Sequence, residues 1–418
     1  MQLVPLETLD LAQLIRPGAL VVWGQGGAEP LALTERLMEQ RHAIGGVKVF
    51  IGASLTATVD PLYLDAVEFT SYCAMGMNRN LAKINELGVL PSHYSELSGQ
   101  LAELDVLMLQ VAEGPSPGTF SFSVAHEYLV PLLDKAKRVI VQINDQAPWT
   151  YGERLIMAED IDFAVRVSRP LPALSGGKVG EVEKSIARRV CALIEDRSTL
   201  QLGIGALPEA ILAGLSNHQH LGIHSGTIGD GVAELTECGV ITNAFKRLDP
   251  NVTVAGVMLG GQRVYDFAHH NAQVQFRSTA YTHCLNVISQ LDRFVALNSA
   301  IEVDLSGQIN AEVAGGRYVG AMGGAMDFIH GAHHSHGGLP IIALPSTAIG
   351  GTASRIVERL SGPSSTPRAD AGIIVTEYGV ADLRGRTIKQ RRELMLAIAH
   401  PEFRDVMDNC IPAPCPVF

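Results

Sequence analysis

Basic residues are scarce in this chain. It has 32 Lys and Arg against 43 Asp and Glu, which gives a formal net charge of −11. Without a basic excess a protein neutralises few nucleic-acid phosphates, so nucleic acid is not an expected partner. Only 18% of the residues are charged and 47% are hydrophobic, which excludes a largely disordered chain. A local basic pocket for a small anionic ligand stays compatible with this balance.

Cysteine is also sparse. The six cysteines are scattered and form no CxxC pair, so the sequence indicates neither a zinc site nor a disulfide framework. No apolar run reaches the length of a membrane span, and the first residues lack the basic start of a signal peptide. We therefore expect a cytoplasmic protein with free thiols and no membrane partner.

Short apolar stretches alternate with helical patterns along the chain. Strands are expected at residues 19–23, 47–53 and 138–144, where β-branched residues cluster. Helices are expected at residues 29–40 and 125–137. This alternation is typical of α/β proteins whose mostly parallel sheets are covered on both faces.

A change of composition divides the chain. Residues 168–179 read SRPLPALSGGKV, and the Pro, Gly and Ser in this segment are typical of an interdomain linker. A chain of 418 residues is also too long for one ordinary hydrophobic core. We expect two tandem α/β domains, residues 1–178 and residues 179–418.

Three glycine-rich turns lie in the second half: LQLGIGALP (200–208), MGGAMDFIHGA (322–332) and STAIGGTASRI (346–356). Each is expected to precede a helix, where exposed backbone amides suit an anionic or carbonyl oxygen. The alternative is an ordinary tight turn, and short glycine motifs alone do not decide between the two. The candidate binding residues are Gly203, Gly205, Pro208, Gly323, Gly324, Gly350 and Gly351.

The segment VTEYGVADLRGRT (375–387) places polar residues at the end of an apolar strand. Open α/β sheets bind ligands at this edge, so Glu377, Tyr378 and Gly379 are further candidates. A salt-bridged turn is the alternative interpretation.

The histidines of HGAHHSHGG (330–338) invite a metal interpretation. We read the tract as a flexible loop, and it has no acidic or thiolate partner at ligand spacing. Metal sites need a closed ligand set, so no metal is expected here.

In this order, the segments resemble the acetyl-CoA hydrolase/transferase family, which includes 4-hydroxybutyrate CoA-transferases and related class I CoA-transferases. The resemblance covers nearly the whole chain. It rests on GGAEP (26–30), INDQAPWTYG (143–152), LQLGIGALP, GIHSGTIGDGV (222–232), LNSAIEVDLSGQIN (297–310) and VTEYGVADLRGRT.

The resemblance implies two α/β domains with an active site in the cleft between them, often in a homo-oligomer. It implies acyl-CoA and carboxylate substrates, with the glycine turns contacting coenzyme A or holding the thioester oxygen. In such enzymes a glutamate attacks the thioester and becomes a glutamyl-CoA thioester, from which a carboxylate acceptor takes the coenzyme A.

Two positions depart from the family pattern. The family's nucleophilic glutamate follows His-Ser in the segment GIHSGTIGDGV, and that position is Gly226 here. The family's Gln after its second Gly-Gly turn is Ala325 here. Glycine cannot form a glutamyl thioester, so the nucleophile must come from elsewhere or be absent.

A relocated carboxylate is the first explanation. In AVEFTSY the alternation places Glu68 on the opposite face from Val67 and Phe69, toward the cleft or solvent. Because Gly226 leaves room, we predict Glu68 as the nucleophile. Glu29 in the Gly-Ala-Glu-Pro turn is a weaker candidate and is better read as a structural cap.

Two further explanations stay open. In a hydrolase, His224 or Glu68 would activate water in place of the acceptor, although a framework role suits His224 as well. Alternatively, the protein binds acyl-CoA without turning it over. Our prediction is a CoA-transferase that acts on small acyl-CoA thioesters.

Overall fold

The computed structural model describes residues 1–174 and 176–409. Within the first of these ranges lies a ten-stranded sheet, eight strands of which pair in parallel along one path. In spatial order these are Gln2–Leu3, Phe163–Val167, Arg138–Asn144, Val106–Glu113, Leu20–Trp23, Val47–Phe50, Val67–Ser71 and Gly88–Val89. Thr119–Ser121 and Ile156–Met157 add an antiparallel branch.

A second sheet lies between residues 199 and 382, all of which the structure describes. Its strands are, in spatial order, Gly222–Ile223, Thr199–Leu202, Phe294–Asn298, Leu339–Ala343, Ile373–Thr376 and Gly379–Asp382. Every neighbouring pair is parallel except the last. The central strands are buried along most of their length, which explains their continuous apolar sequences.

Short strands connect the two halves. Tyr151–Gly152 pairs in parallel with Val274–Phe276, which also pairs with Thr253–Ala255. The remaining short strands are Thr227–Ile228, Val257–Met258, Glu302–Asp304, Ile309–Asn310, Val313–Ala314, Arg317–Tyr318, Thr347–Ala348, Ala353–Ser354 and Ile356–Val357.

Helices cover the sheets. In the first half they span Leu31–Ile44, Asn78–Ala82, Leu97–Gln100 and Leu129–Leu133. In the second half they span Glu181–Cys191, Ala206–Gly214, Asp230–Glu237, Gln262–Ala268, Thr279–Thr282, Leu285–Ile288, Ala325–His334, Ile388–Ile398 and Pro401–Asn409. The α/β class with two mostly parallel sheets is confirmed, whereas the boundary between residues 178 and 179 stays a prediction.

The helix expected at residues 125–137 is much shorter. Only Leu129–Leu133 is helical, because the backbone before it pairs with distant segments instead. Ala125 forms a bridge with Val257, and Glu127 forms one with Ser278. The His126 amide donates to the Gly256 carbonyl at 2.9 Å.

Two other local expectations were wrong. The turn at residues 346–356 leads into short strands rather than a helix, because Val303 and Leu305 draw its backbone into a small sheet. The histidine tract is not a flexible loop, since the helix Ala325–His334 carries its first three histidines. His330 lies 3.2 Å from Asp370, and His333 bonds the carbonyl oxygen of the same residue.

Four cysteines within the described ranges are free thiols, Cys73, Cys191, Cys238 and Cys284. Cys410 and Cys415 lie outside the described residues. In the part of the chain that the structure describes, no helix is long and apolar enough to span a membrane.

Candidate active site

A cavity of about 320 Å³ is lined by residues from both halves of the chain. Leu202, Asn298 and Ala343 contribute from the carboxyl ends of three parallel strands of the second sheet. Gln25 and Tyr72 follow the carboxyl ends of two strands of the first sheet. The cavity therefore lies where α/β sheets commonly bind their ligands.

Gly226 lines this cavity, and the atoms around it occupy space that a larger side chain at this position would need. A Cβ atom added at Gly226 would lie 3.0 Å from Cε1 of His283 and 3.5 Å from the Phe328 ring. A Cβ atom at Gly324 would lie 2.4 Å from Nε2 of the same histidine. The His283 ring therefore packs against both glycines and fills the space that larger residues would take.

His283 is buried between aromatic rings. Its ring centroid lies 5.2 Å from that of Tyr94 and 4.5 Å from that of Phe328. Burial lowers the pKa of His283 to about 3, so the imidazole is neutral at physiological pH. This ring adds no positive charge to the cavity.

Glu127 supplies the carboxylate of the cavity lining. Its Oε2 accepts hydrogen bonds from the Tyr94 hydroxyl at 2.7 Å and from Gln25 Nε2 at 2.9 Å. The Gln25 amide is itself oriented, because its oxygen accepts from the Tyr72 hydroxyl at 2.8 Å. Oε1 of Glu127 has no hydrogen-bond partner among the described residues.

The environment of Glu127 disfavours its charge. The side chain is 1% exposed and no cation is paired with it among the described residues. Burial raises the pKa of Glu127 to about 7, although the hydrogen bonds from Tyr94 and Gln25 oppose this shift. The carboxyl group therefore changes charge near physiological pH, as catalytic carboxyls often do.

A second, larger cavity of about 690 Å³ adjoins the first. The two share Met75, Ile204 and Leu259 in their linings. Three exposed cations stand around the second cavity: Arg79, Lys83 and Arg317. Two carboxylates, Glu209 and Asp230, lie in the same lining.

Residues 1–174 and 176–409 offer no ready ligand set for a metal ion. No group of three or more His, Cys, Asp or Glu side chains is arranged there to hold a metal ion.

Comparison with known proteins decides the family. The acetyl-CoA hydrolase/transferase N-terminal domain matches residues 6–171, and the C-terminal domain of the same family matches residues 260–410. The chain belongs to the acetyl-CoA hydrolase/transferase family. The resemblance seen in the sequence motifs is thereby confirmed.

Relatives in this family match most of the chain. A 4-hydroxybutyrate coenzyme A transferase of Clostridium kluyveri is 41% identical over 340 residues, which are 80% of this chain and 79% of the relative. A succinyl-CoA:cyclohexane-1-carboxylate CoA transferase of Geobacter metallireducens is 32% identical over 95% of this chain and 92% of its own. The crystal structure of RipA from Yersinia pestis superposes with a TM-score of 0.92 at 29% identity, covering 97% of this chain and 96% of RipA.

Glu68, the nucleophile predicted from the sequence, is not brought to the cavity. It lies on the exposed face of the strand Val67–Ser71, in register with Lys48 of the neighbouring strand. Glu68 does lie on the opposite face of the strand from Val67 and Phe69, but that face points to solvent. The lining of neither cavity includes it.

His224 is buried behind the cavity and is absent from the lining of either one. Its Nε2 lies 3.0 Å from the Thr282 carbonyl oxygen, and because a carbonyl only accepts, Nε2 carries the proton. Burial lowers the pKa of His224 to about 3. These contacts favour the framework role over that of a base for water.

Two of the three glycine turns reach the cavities. Gly203, Pro208, Gly323 and Gly324 line the first cavity, and Gly205 lines the second. Gly205 has φ of 114°, a conformation that favours glycine, and directly precedes the helix Ala206–Gly214.

Five other candidates lie outside both linings. Gly350 and Gly351 form an exposed turn. The Glu377 carboxylate accepts from the Ser346 amide at 2.8 Å and from its hydroxyl at 2.6 Å, which ties two strand ends together. The Tyr378 ring packs on His400, and Gly379 opens the antiparallel edge strand. The structure thus gives Glu377, Tyr378 and Gly379 local structural partners.

Sequence reasoning missed Glu127. One signal was available, because Glu127 is the only acidic residue in the mostly apolar stretch FSFSVAHEYLVPLL (120–133). An acidic residue on a surface helix normally faces solvent. Because a helix was expected here, Glu127 did not stand out as a candidate.

Proposed function

We propose that this protein moves coenzyme A from a small acyl-CoA thioester to a carboxylate acceptor, through a covalent intermediate on a carboxylate of the enzyme. The observation that carries the proposal is the pair of adjoining cavities. The first is small and mostly apolar, and it holds one carboxylate among its described residues. The second is larger, and basic residues stand around it.

Coenzyme A matches this pair of cavities. Its acyl thioester is small and uncharged at the reacting carbon, which suits the first cavity. Its nucleotide end carries several phosphate charges, which suit Arg79, Lys83 and Arg317. The pantetheine arm would cross where Met75, Ile204 and Leu259 line both cavities. Relatives that are named as CoA transferases along most of this chain support the same function.

Neutralising two of the cations is expected to weaken binding without slowing the chemical step. Lys83 and Arg317 form no ion pair with any other described residue, so a Lys83→Gln/Arg317→Gln variant removes charge while leaving the fold intact. We expect KM for acetyl-CoA to rise roughly tenfold, which corresponds to about 1.4 kcal/mol, with kcat unchanged. Salt should raise KM more in the wild type than in the variant.

A truncated substrate gives the control. The N-acetylcysteamine thioester of acetate lacks the nucleotide, so its KM should be equal in the two proteins. Lys48→Gln, on an exposed face away from both cavities, should leave both substrates unaffected. An equal loss for the full and truncated thioesters would contradict binding of the phosphates at this place.

Dependence on the acceptor tests the reaction itself. We expect coenzyme A to move from acetyl-CoA, butanoyl-CoA or 4-hydroxybutanoyl-CoA to an added carboxylate, with little free coenzyme A formed. Release of free coenzyme A without an acceptor would instead show hydrolysis. Tight binding with neither reaction across the panel would leave a binding protein.

A further inference from the structure

We infer that Glu127 is the nucleophile that attacks the thioester and then carries coenzyme A, the role that the family resemblance gives to position 226. This inference rests on the proposed function. Glu127 is the one acidic side chain among the described residues that line the first cavity. Only one of its two oxygens is held by hydrogen bonds from the described residues.

The free oxygen separates Glu127 from the other buried glutamates. A buried oxygen without a partner is unfavourable, so an unpartnered oxygen on a residue that lines the cavity indicates a second use. Glu29 is buried as well, but its carboxylate accepts from the hydroxyls of Thr34, Thr56 and Thr58. Glu29 therefore has the local structural role expected of it, and no oxygen of its carboxylate lacks a partner.

Glu127 lies next to Gly226 in space. Both flank Gly256, because a Cβ atom at Gly256 would lie 2.9 Å from the Gly226 carbonyl oxygen and 3.6 Å from Cβ of Glu127. Gly256 also donates from its amide to the Gly226 carbonyl at 3.1 Å. A carboxylate on Glu127 therefore enters the same cavity from the neighbouring backbone segment.

The backbone at Glu127 is held in an unusual conformation. Its φ is 20°, outside the regions that most residues other than glycine adopt. The bridges of Ala125 to Val257 and of Glu127 to Ser278 hold it there. Strain of this kind persists only where the surrounding contacts enforce it, and it is concentrated at functional sites.

The first half of the reaction forms an anhydride. The carboxylate turns about its side-chain bonds toward the substrate, and Oε1 attacks the thioester carbonyl carbon. The carbon–sulfur bond breaks, coenzyme A leaves as its thiolate, and an acyl-glutamyl anhydride remains. Tyr94 and Gln25 stay within reach of the other oxygen as donors.

The second half transfers coenzyme A to Glu127. The thiolate attacks Cδ of Glu127, and the acyl group leaves as a free carboxylate that takes one of the glutamate oxygens. The acceptor carboxylate then attacks the glutamyl thioester and releases the thiolate, which attacks the acyl carbon of the new anhydride. This last step forms the new acyl-CoA and regenerates Glu127, so no oxidant, reductant or net proton is needed.

Trapping the intermediate tests the inference. The wild type, Glu127→Gln and Glu68→Gln are incubated with acetyl-CoA or butanoyl-CoA without acceptor, and intact masses are measured. Borohydride reduces a glutamyl thioester to the primary alcohol, so peptide mapping then locates the carrier. We expect a coenzyme A adduct and a reduced residue 127 in the wild type and in Glu68→Gln. Glu127→Gln should form neither, and its transfer rate should fall by more than about a thousandfold.

Transfer by the wild type distinguishes failure of this inference from failure of the proposed function. If the wild type transfers coenzyme A and Glu127→Gln keeps its adduct or rate, another residue is the carrier and only this inference fails. Transfer without any trapped residue in the wild type would also overturn the inference. If the wild type transfers nothing across the panel, the proposed function itself fails. Circular dichroism of Glu127→Gln confirms that a loss is not caused by unfolding.

The pH dependence gives an independent readout. Only the ionised carboxylate attacks, and the pKa of Glu127 is raised to about 7 by burial. The rate should therefore fall as the pH is lowered through about 7. A rate that stays constant down to the pKa of an ordinary glutamate would contradict attack by Glu127.

Discussion

Replacing Glu127 with Gln is expected to make the protein more stable at high pH relative to the wild type. The pKa of Glu127 is about 7 in the folded state, compared with 4.5 for an ordinary glutamate. Between these pH values the folded state holds a proton that the unfolded state has lost. The wild type therefore loses stability as the pH rises from 4.5 to about 7, and above that range the loss is complete.

The magnitude follows from the size of the shift. A pKa raised from 4.5 to about 7 corresponds to roughly 3 kcal/mol of free energy of unfolding. Because Gln does not titrate, the stability of Glu127→Gln minus that of the wild type should grow by about this amount between about pH 4.5 and about pH 8. Contributions from groups that do not interact with Glu127 cancel in the difference.

Denaturant unfolding of both proteins across this pH range provides the measurement. Glu68→Gln is the matched control, because it makes the same chemical change on the exposed face of a strand, away from both cavities. Parallel pH profiles for wild type and Glu127→Gln would show that Glu127 is not a buried neutral acid near pH 7. If the glutamyl thioester is also trapped on Glu127, the expected pH profile would show that this catalytic carboxylate lowers the stability of the folded protein.

Placing a glutamate at position 226 is expected to damage the site instead of restoring the family's arrangement. A Cβ atom at Gly226 would lie 3.0 Å from Cε1 of His283, which is closer than most real contacts. The ring has little freedom to move, because Tyr94, Phe328 and Gly324 surround it. We expect Gly226→Glu to lower the free energy of unfolding by about 1–3 kcal/mol, as overpacking of a core does.

Function should follow the same direction. Gly226→Glu should reduce transfer in the wild-type background and should not rescue the Glu127→Gln variant. Gly226→Ala separates the effect of the first added carbon from that of the carboxylate. If the His283 ring is the obstacle, Gly226→Glu should lose less stability in a His283→Ala background than in the wild type.

Recovery of the transfer activity of Glu127→Gln on adding Gly226→Glu would contradict this interpretation. It would show that the cavity accepts the family's geometry and that the His283 ring yields. Unchanged stability of Gly226→Ala would likewise remove the steric argument.

Local sequence patterns correctly predicted much of the fold. Apolar β-branched runs predict buried parallel strands, and the strands at residues 20–23, 47–50 and 138–144 lie where such runs were found. The turn at Gly205 followed from its glycines and the helix after it, because a positive φ is a local requirement. The ordered motifs indicated the family, since each is a short segment that can be read without knowing its partners.

Other features depended on partners far along the chain. The stretch around Glu127 has a helical pattern, yet pairing with Val257 and Ser278 keeps its first residues out of the helix. The alternation around Glu68 placed it on the correct side of its strand but did not show that this side faces solvent. The burial of Glu127 depends on contacts with both halves of the chain, from Gln25 and Tyr94 in the first and from Ser278 in the second.

The sequence by itself therefore determined the α/β class, the family resemblance and the presence of glycine at position 226, where that resemblance implies a glutamate. The α/β class follows from local periodicity, whereas the expectation at position 226 follows from the resemblance that the short motifs carry. The tertiary structure alone decided which carboxylate lies beside Gly226, because burial, a missing hydrogen-bond partner and the position of the His283 ring all depend on contacts between distant segments.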